Sequence, residues 1–440
     1  MVPDRGPGAG SGAGGDGGGP TERLLLARWL FPVGRPPIRD GAVAVRGGTI
    51  VGVGGRADLL AGHPGMSRLD LGDAALLPGL VNCHTHLELP GPPVEPPGGC
   101  FARWLIAVIE RRREQPSGAE AAQAEASARR LLAWGTTAIG EVSSTGQSLT
   151  PLLRAGLRGI LYREVLGLAP GEAQARAEAA REDLGRMGHA ARGSLLRIGL
   201  SPHSPYSLSE ELFAACRALG RAAGVPACIH AAESAEEAML LAGGTGPIPG
   251  LLYPAVGQAP PPRRRAPSPV TYLEALGVLE GGPLLIHAVH VDAEDRRRLA
   301  AHGVGVAHCP RSNARLSGAV APVPVYLGEG IRVGLGTDSL ASVPTLDLWD
   351  EMRAALAAHA GRIAPAQVLE MATLGGARVL GLGGAVGSLE AGRRADLTAV
   401  PAGGILATDP EGSLIAETSG EDVLLTMVEG QIRHRRVGSA

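Results

Sequence analysis

Hydrophobic and polar positions along the chain fall into distinct regimes. Residues 1–21 are dominated by Gly, Pro, Ala, Ser and Asp, with almost nothing to bury, and are expected to form a disordered tail. From residue 22 to about 75, short apolar stretches (Leu24–Leu30, Ala42–Val45, Ile50–Val53) alternate with Gly- and Asp-rich turns, as in a meander of short strands. Between 76 and 385 short apolar runs are each followed by a longer helical period. The runs read as strands are Leu77–Asn82, Thr136–Gly140, Gly159–Arg163, Leu195–Leu200, Pro226–Ile229, Pro283–Ile286, Gly303–Ala307 and Ile331–Leu335. Helical spacing lies between them, for example at Ala119–Ala133, Ala173–Met187, Glu210–Ala223 and Ala293–Ala301. This repeated alternation predicts an α/β fold, a (β/α)8 TIM barrel rather than a doubly wound sheet. Strand-like segments return after Gly387, so residues 22–75 and 386–440 are expected to make one small β-sandwich domain interrupted by the barrel. The Gly- and Pro-rich segment 243–269 is too long for a simple loop; it reads either as a lid or binding loop or as a plain surface excursion.

Composition adds exclusions. Aromatics are only 3% of the 440 residues against 45% hydrophobic, so aliphatic side chains must fill the core. All 41 basic residues are arginine. Schiff-base, P-loop and carboxylated metal-bridging lysines are therefore impossible here. A net charge of −2 provides no field for nucleic acid or an anionic membrane, and the short runs Arg111–Arg113, Arg263–Arg265 and Arg296–Arg298 read as solvated faces. Five cysteines with no CxxC pair suit a reducing cytoplasm better than a disulfide framework. No apolar run approaches the ~18 residues needed to span a bilayer, and the N-terminus lacks a signal peptide's order. The expectation is a soluble cytoplasmic protein acting on a small molecule, without nucleic-acid or membrane partners.

Candidate chemistry centres on histidine. His84, His86, His203, His230 and His287 all lie at or near the end of an apolar run, where a (β/α)8 barrel builds its active site. His84 and His86 are two apart, which on an extended strand puts both rings on one side with Cα atoms ~6.5 to 7 Å apart. His230 ends the fifth run and Asp338 the eighth. Three imidazoles and one carboxylate suit zinc or ferrous iron. From the residues alone, hydrogen-bonded histidines and a turn-forming Asp338 remain open as readings.

The segments PGLVNCHTHLEL, SPHSPYSLS, CIHAAES, IHAVHV, HCPRSNARL and LGTDSLAS, in this order, resemble the amidohydrolase superfamily, in its cytosine-deaminase-like and chlorohydrolase-like branch. The resemblance runs from about Asp40 to about Arg435. It implies that His84, His86, His230 and Asp338 ligate one divalent metal ion, zinc or iron. It further implies that Glu233 shuttles a proton to the substrate and that His287 touches the attacking water or the oxygen of the tetrahedral intermediate, with His290 the competing assignment. Asp338 would take the water's proton, and the reaction would be hydrolytic deamination. Barrels of this type often form homodimers.

The combination HTHLEL, HAAES, CPRSN and GTDSLAS looks most like aminofutalosine deaminase, which removes an adenine amino group during menaquinone biosynthesis. By that resemblance His203 contacts the substrate ring. Glu88 is the candidate for ribose hydroxyls or the amino group. With no lysine present, an arginine must bind the substrate carboxylate; Arg103, Arg163 and Arg311 are the candidates. Rival readings are a guanine, S-adenosylhomocysteine or methylthioadenosine deaminase, an amide or chlorinated-ring hydrolase with the same ligands, and a non-catalytic scaffold. The HxE plus PCxxC zinc deaminases are excluded because there is no CxxC.

Overall fold

The computed structural model describes residues 22–436, so the tail expected at 1–21 lies outside the described residues. The described chain opens with β1 (Glu22–Leu30), β2 (Ile38–Arg46), β3 (Thr49–Gly55), β4 (Ser67–Asp70) and β5 (Ala74–Pro78). Strands alternating with helices follow: β6 (Leu80–His86), β7 (Thr136–Ser143), β8 (Arg158–Val165), β9 (Leu196–Pro202), β10 (Cys228–Ala231), β11 (Leu284–His287), β12 (Gly305–His308), β13 (Val333–Leu335) and the two-residue β14 (Asp338–Ser339). The chain returns through β15 (Leu397–Pro401), β16 (Leu425–Val428) and β17 (Gln431–Arg435).

The two chain ends join in one eight-stranded sheet, ordered β17-β16-β15-β5-β1-β2-β3 with β4 also paired to β1. This differs from the expected sandwich. The short strand β5 pairs with β1 on one edge and with β15 on the other, stitching the ends side by side. It also corrects the first barrel strand: the run expected at Leu77–Asn82 is cut at Gly79, and the second half continues through His86.

The middle of the chain is a mixed α/β body whose parallel strands form two ladders, β14-β6-β7-β8-β9 and β10-β11-β12-β13, and not the single closed ring of the expected barrel. Proline explains the first gap. Pro202 and Pro226 have no N–H to donate, so β9 and β10 meet only through the Leu200–Ala227 bridge and through hydrogen bonds from Leu200 N to Pro226 O (2.9 Å) and His230 N to His203 O (2.8 Å). At the other gap Gly336 crosses against β6, where an added Cβ would fall 2.9–3.0 Å from His84. Only glycine permits that approach, and Thr337 N then donates to His84 O (3.0 Å).

The parallel strands are buried almost throughout, as helices covering their outer faces require. Side-chain caps set helix starts near the strand ends: Ser209 accepts from Leu212 N and Ser234 from Glu237 N. Terminal sheet and central body are locked by a buried bidentate pair, Arg158 to Asp396 at 2.8 and 3.1 Å. Among the described residues no helix is long and apolar enough to cross a membrane.

Candidate active site

Titratable side chains gather at the C-terminal ends of the parallel strands. His84 and His86 leave the same face of β6, their ring centroids 4.8 Å apart. His230 on β10 brings its Nε2 to 3.2 Å from Nε2 of His86. Asp338 opens β14, with Oδ1 3.6 Å from His84 Nε2 and 3.9 Å from His86 Nε2. The backbone is strained to do this. Ala232 (φ 55°), His287 (φ 74°), Ala288 (φ 45°) and Asp338 (φ 63°) all occupy the left-handed region, which costs a residue with a Cβ about 1–3 kcal/mol and is tolerated mainly at functional sites.

The donor set fits a cation better than a hydrogen-bonded cluster. Both ring nitrogens of His84 are buried without a hydrogen-bond partner, and 3.6 Å is too long for one to Asp338. Burial pushes the pKa values of His84, His86 and His230 down, so these rings are neutral and present lone pairs to one another. One divalent ion would satisfy the orphaned nitrogens and the Asp338 carboxylate together. The other carboxylate oxygen of Asp338 is already engaged, accepting from Ser312 Oγ (2.6 Å) and Ser342 Oγ (2.9 Å). Burial raises the Asp338 pKa, but the approach of His84, with His287 and His86 beside it, outweighs this and draws the carboxyl below its usual range.

Glu233 and His287 face each other across this floor, Oε1 to Nε2 at 3.4 Å. Glu233 sits just before the Ser234 cap, and its N–H donates to Glu237 Oε2 (3.1 Å). Burial, then the neighbouring carboxyls of Asp338 and Glu237, lift its pKa well above the usual carboxylate range, the direction a general acid needs. His287 Nδ1 lies 2.9 Å from Asn313 Oδ1. An amide oxygen only accepts, so this contact assigns the proton to Nδ1 and leaves Nε2 as an acceptor.

Above the floor is a cavity of about 380 Å³. One wall is the helix Phe101–Arg113, which presents Leu105, Val108, Ile109 and Arg112 at i, i+3, i+4 and i+7. Another comes from segment 243–269, which is ordered into the turns Ile248–Leu252 and Tyr253–Ala255 and contributes Leu252, Tyr253 and Val256. It is pinned by Tyr253, whose hydroxyl donates to Tyr206 O (2.8 Å) and accepts from Arg263 (2.9 Å). Glu236 holds the wall helix by accepting from Phe101 N and Ala102 N (2.8 and 2.9 Å). Because Glu236 is three residues beyond Glu233, wall and floor are mechanically joined.

Comparison with known proteins agrees with this geometry. Residues 75–433 match the amidohydrolase family. The chain belongs to the amidohydrolase family. It is thus a hydrolase. A 5-methylthioadenosine/S-adenosylhomocysteine deaminase of Nitratidesulfovibrio vulgaris is 33% identical over 91% of this chain and 89% of its own length. An aminodeoxyfutalosine deaminase of Deinococcus radiodurans is 34% identical over 78% of this chain and 81% of its own. Among solved structures, an adenosine deaminase from Xanthomonas campestris with bound zinc superposes with a TM-score of 0.75 at 25% identity, covering 93% of this chain and 92% of that one.

Within this amidohydrolase the structure brings His84, His86, His230, Glu233, His287 and Asp338 together. His290 lies outside that group. His203 also borders the cavity, with Nδ1 2.8 Å from Ser207 Oγ and Nε2 3.8 Å from Glu164 Oε1. The remaining expected contacts are placed elsewhere. Glu88 turns away from the cavity to accept from Ser143 Oγ, Thr145 N (3.2 Å) and Ser148 N (3.1 Å), so it clamps the loop after β7. Arg163 points outward because its neighbours on β8 point inward, and it pairs with Asp183 at 2.7 Å. Arg311 is consumed by Glu351 (2.7 Å) and Asp350 (2.9 Å). Arg103 is exposed and absent from the stripe of its helix that lines the cavity.

Sequence reasoning missed Arg112, which does line the cavity and whose Nε is held by Glu120 at 2.7 Å. It had been set aside as part of a solvated run. Glu164 was missed too, although its place at the C-terminal end of β8 was a usable signal. Burial pushes the Glu164 pKa up, but His203, His86 and the Ser144 hydroxyl outweigh it and draw the carboxyl below its usual range.

Proposed function

We propose that this protein is a metal-dependent hydrolytic deaminase of an adenosine-like nucleoside. The observation that carries the reading is Glu233 set 3.4 Å from His287 beside the cluster of His84, His86, His230 and Asp338, at the floor of a cavity of nucleoside size. His84, His86, His230 and Asp338 would hold the ion, with zinc favoured by the donor set. A bound divalent ion supplies Lewis acidity that brings water's pKa from 15.7 to about 7.

The chain's own groups then handle the protons. Asp338 Oδ1 accepts a proton from the attacking water, while Ser312 and Ser342 keep its other oxygen occupied. His287 Nε2 accepts a hydrogen bond from that water and orients it. Water oxygen bonds to the ring carbon bearing the amino group and Glu233 gives its proton to the adjacent ring nitrogen; Asp338 then passes the proton it took to the amino nitrogen, the C–N bond breaks to release ammonia, and the remaining water proton returns to Glu233 as the carbonyl forms. The apolar side chains Leu105, Val108, Ile109, Leu252 and Val256 would shield a bound ring from bulk water. His203 and Glu164, which border the cavity, would receive the ring and the sugar.

For the specific substrate we propose 6-amino-6-deoxyfutalosine, which would tie this protein to menaquinone biosynthesis. Support comes from the Deinococcus radiodurans relative and from Arg112, a cation on an otherwise apolar wall that suits a remote carboxylate. S-adenosylhomocysteine or methylthioadenosine is the second reading, favoured by the relative that matches over more of the chain. Ammonia release is to be measured from adenosine, guanine, methylthioadenosine, S-adenosylhomocysteine and aminodeoxyfutalosine with the zinc-loaded enzyme. The expected outcome is a highest kcat/KM for the last. Turnover of another nucleoside alone overturns the specific assignment, and absence of ammonia from all overturns the deaminase.

A further inference from the structure

A second cavity, about 530 Å³, opens at the opposite end of the parallel strands. Arg197, Arg217, Arg221, Arg332 and Arg378 all line it, and Glu280 is the only acidic residue in its wall. Glu280 serves Arg217 (3.4 Å) and Arg221, and Arg378 is paired with Glu370 (2.7 Å) outside the wall. Arg332 donates to the carbonyl of Gly303. Arg197, whose side chain is exposed, has neither an ion pair nor a hydrogen bond among the described residues. Five guanidinium groups around a single wall carboxylate repel one another, and in a chain of net charge −2 the cluster is no extension of a general basic surface.

A buried neutral group points to the same occupant. Tyr162 on β8 is 2% exposed and lines this cavity, yet its hydroxyl has no hydrogen-bond partner among the described residues. Room for its ring is made by Gly199 on β9, where an added Cβ would lie 2.5 Å from the Tyr162 ring. Arg197 is two residues before Gly199 on the same strand face, so cation and unpaired hydroxyl share one chamber. The hydroxyl is not sealed away from the cavity, so a ligand or water there can take its hydrogen bond.

We propose that this chamber binds a small phosphorylated metabolite, with Arg197 and Arg332 gripping a phosphate, Tyr162 donating to it, and Arg378 and Arg221 at the rim. Guanidinium forks match phosphate oxygens two at a time, and the aliphatic part of the wall, including Leu200 and Val278, takes the carbon skeleton. The site is separate from the histidine floor and independent of which nucleoside is deaminated.

The test is calorimetric titration of the zinc-loaded full chain with fructose 1,6-bisphosphate at low ionic strength, with fructose as the uncharged control. Wild type is expected to bind the bisphosphate and not fructose. Arg197→Gln is expected to weaken binding at least tenfold and Tyr162→Phe about threefold, with wild-type melting temperatures verifying that both variants fold. His230→Ala, which alters only the histidine floor, is expected to bind as wild type does. No binding by wild type, equal binding by Arg197→Gln, or loss of binding in His230→Ala each overturns the proposal. Should Arg197→Gln not fold, Arg332→Gln provides the same comparison.

Discussion

Glu237 makes a sharp test of the electrostatics around the catalytic loop. Its side chain is fully buried, one carboxylate oxygen accepts from Glu233 N at 3.1 Å, and the other has no partner. Burial pushes its pKa from 4.5 up to about 8, against the pull of the backbone N–H groups of Glu233 and Ala232. The folded state therefore binds this proton more tightly than the unfolded chain. Its stabilising effect is complete below pH 4.5 and is lost as pH rises through 8. At about 1.4 kcal/mol per pKa unit, the full window has an upper bound of about 5 kcal/mol, with relaxation expected to leave about half. Glu237→Gln keeps the shape and the acceptor for Glu233 N but cannot ionise. Urea unfolding of the zinc-loaded wild type and variant at pH 5 and pH 8.5 isolates the effect. The variant is expected to gain at least about 2 kcal/mol on wild type between the two pH values. A gain below about 0.5 kcal/mol would refute the burial argument and mean that Glu237 is already ionised in the native state.

Further outcomes follow from the site itself. His230→Ala is expected to lose its bound metal by elemental analysis, whereas Glu233→Gln retains metal and loses about 10²- to 10⁴-fold in kcat. Asn313→Ala frees the Nδ1 proton of His287, so kcat should fall about 10- to 100-fold and the kcat–pH profile should shift, with metal content unchanged. Arg112→Ala should raise KM about tenfold or more for a nucleoside bearing a carboxylate and leave adenosine unaffected; equal effects on both would remove Arg112 from carboxylate recognition. Arg158→Ala leaves the Asp396 carboxylate buried and unpaired, and should lower stability by about 3–5 kcal/mol in denaturant titration without changing kcat.

Much of the floor was legible because its geometry is local. His84 and His86 converge through the two-residue period of a strand, and His230, His287 and Asp338 each sit where an apolar run stops. The absence of lysine excludes a bridging carboxylated lysine whatever the fold. Helices such as Glu210–Ala223 were readable from apolar spacing, and Ser209 and Ser234 supplied their starts. The substrate contacts were not legible in the same way. Glu88 follows the ligands in sequence, but its carboxylate turns to backbone N–H groups of the next loop, a choice made by distant residues. Arg112 reads in sequence as one of three solvated arginines, and it is the packing of the helix Phe101–Arg113 along one wall that brings it to the cavity.

Strand and helix periodicity, the identities of the metal-binding candidates and the chemistry that lysine's absence forbids are properties of the chain read in order. They depend on neighbours only a few residues apart. Tertiary structure decided how β5 joins both chain ends in one sheet, where Pro202 and Pro226 interrupt the parallel ladder, and which charged side chains reach a cavity. It also decided the upward shift of the Glu233 pKa, since its burial and the Asp338 carboxyl come from separate parts of the fold. A charge's environment in a folded protein is set by whatever packs around it, and one-dimensional spacing does not contain that information.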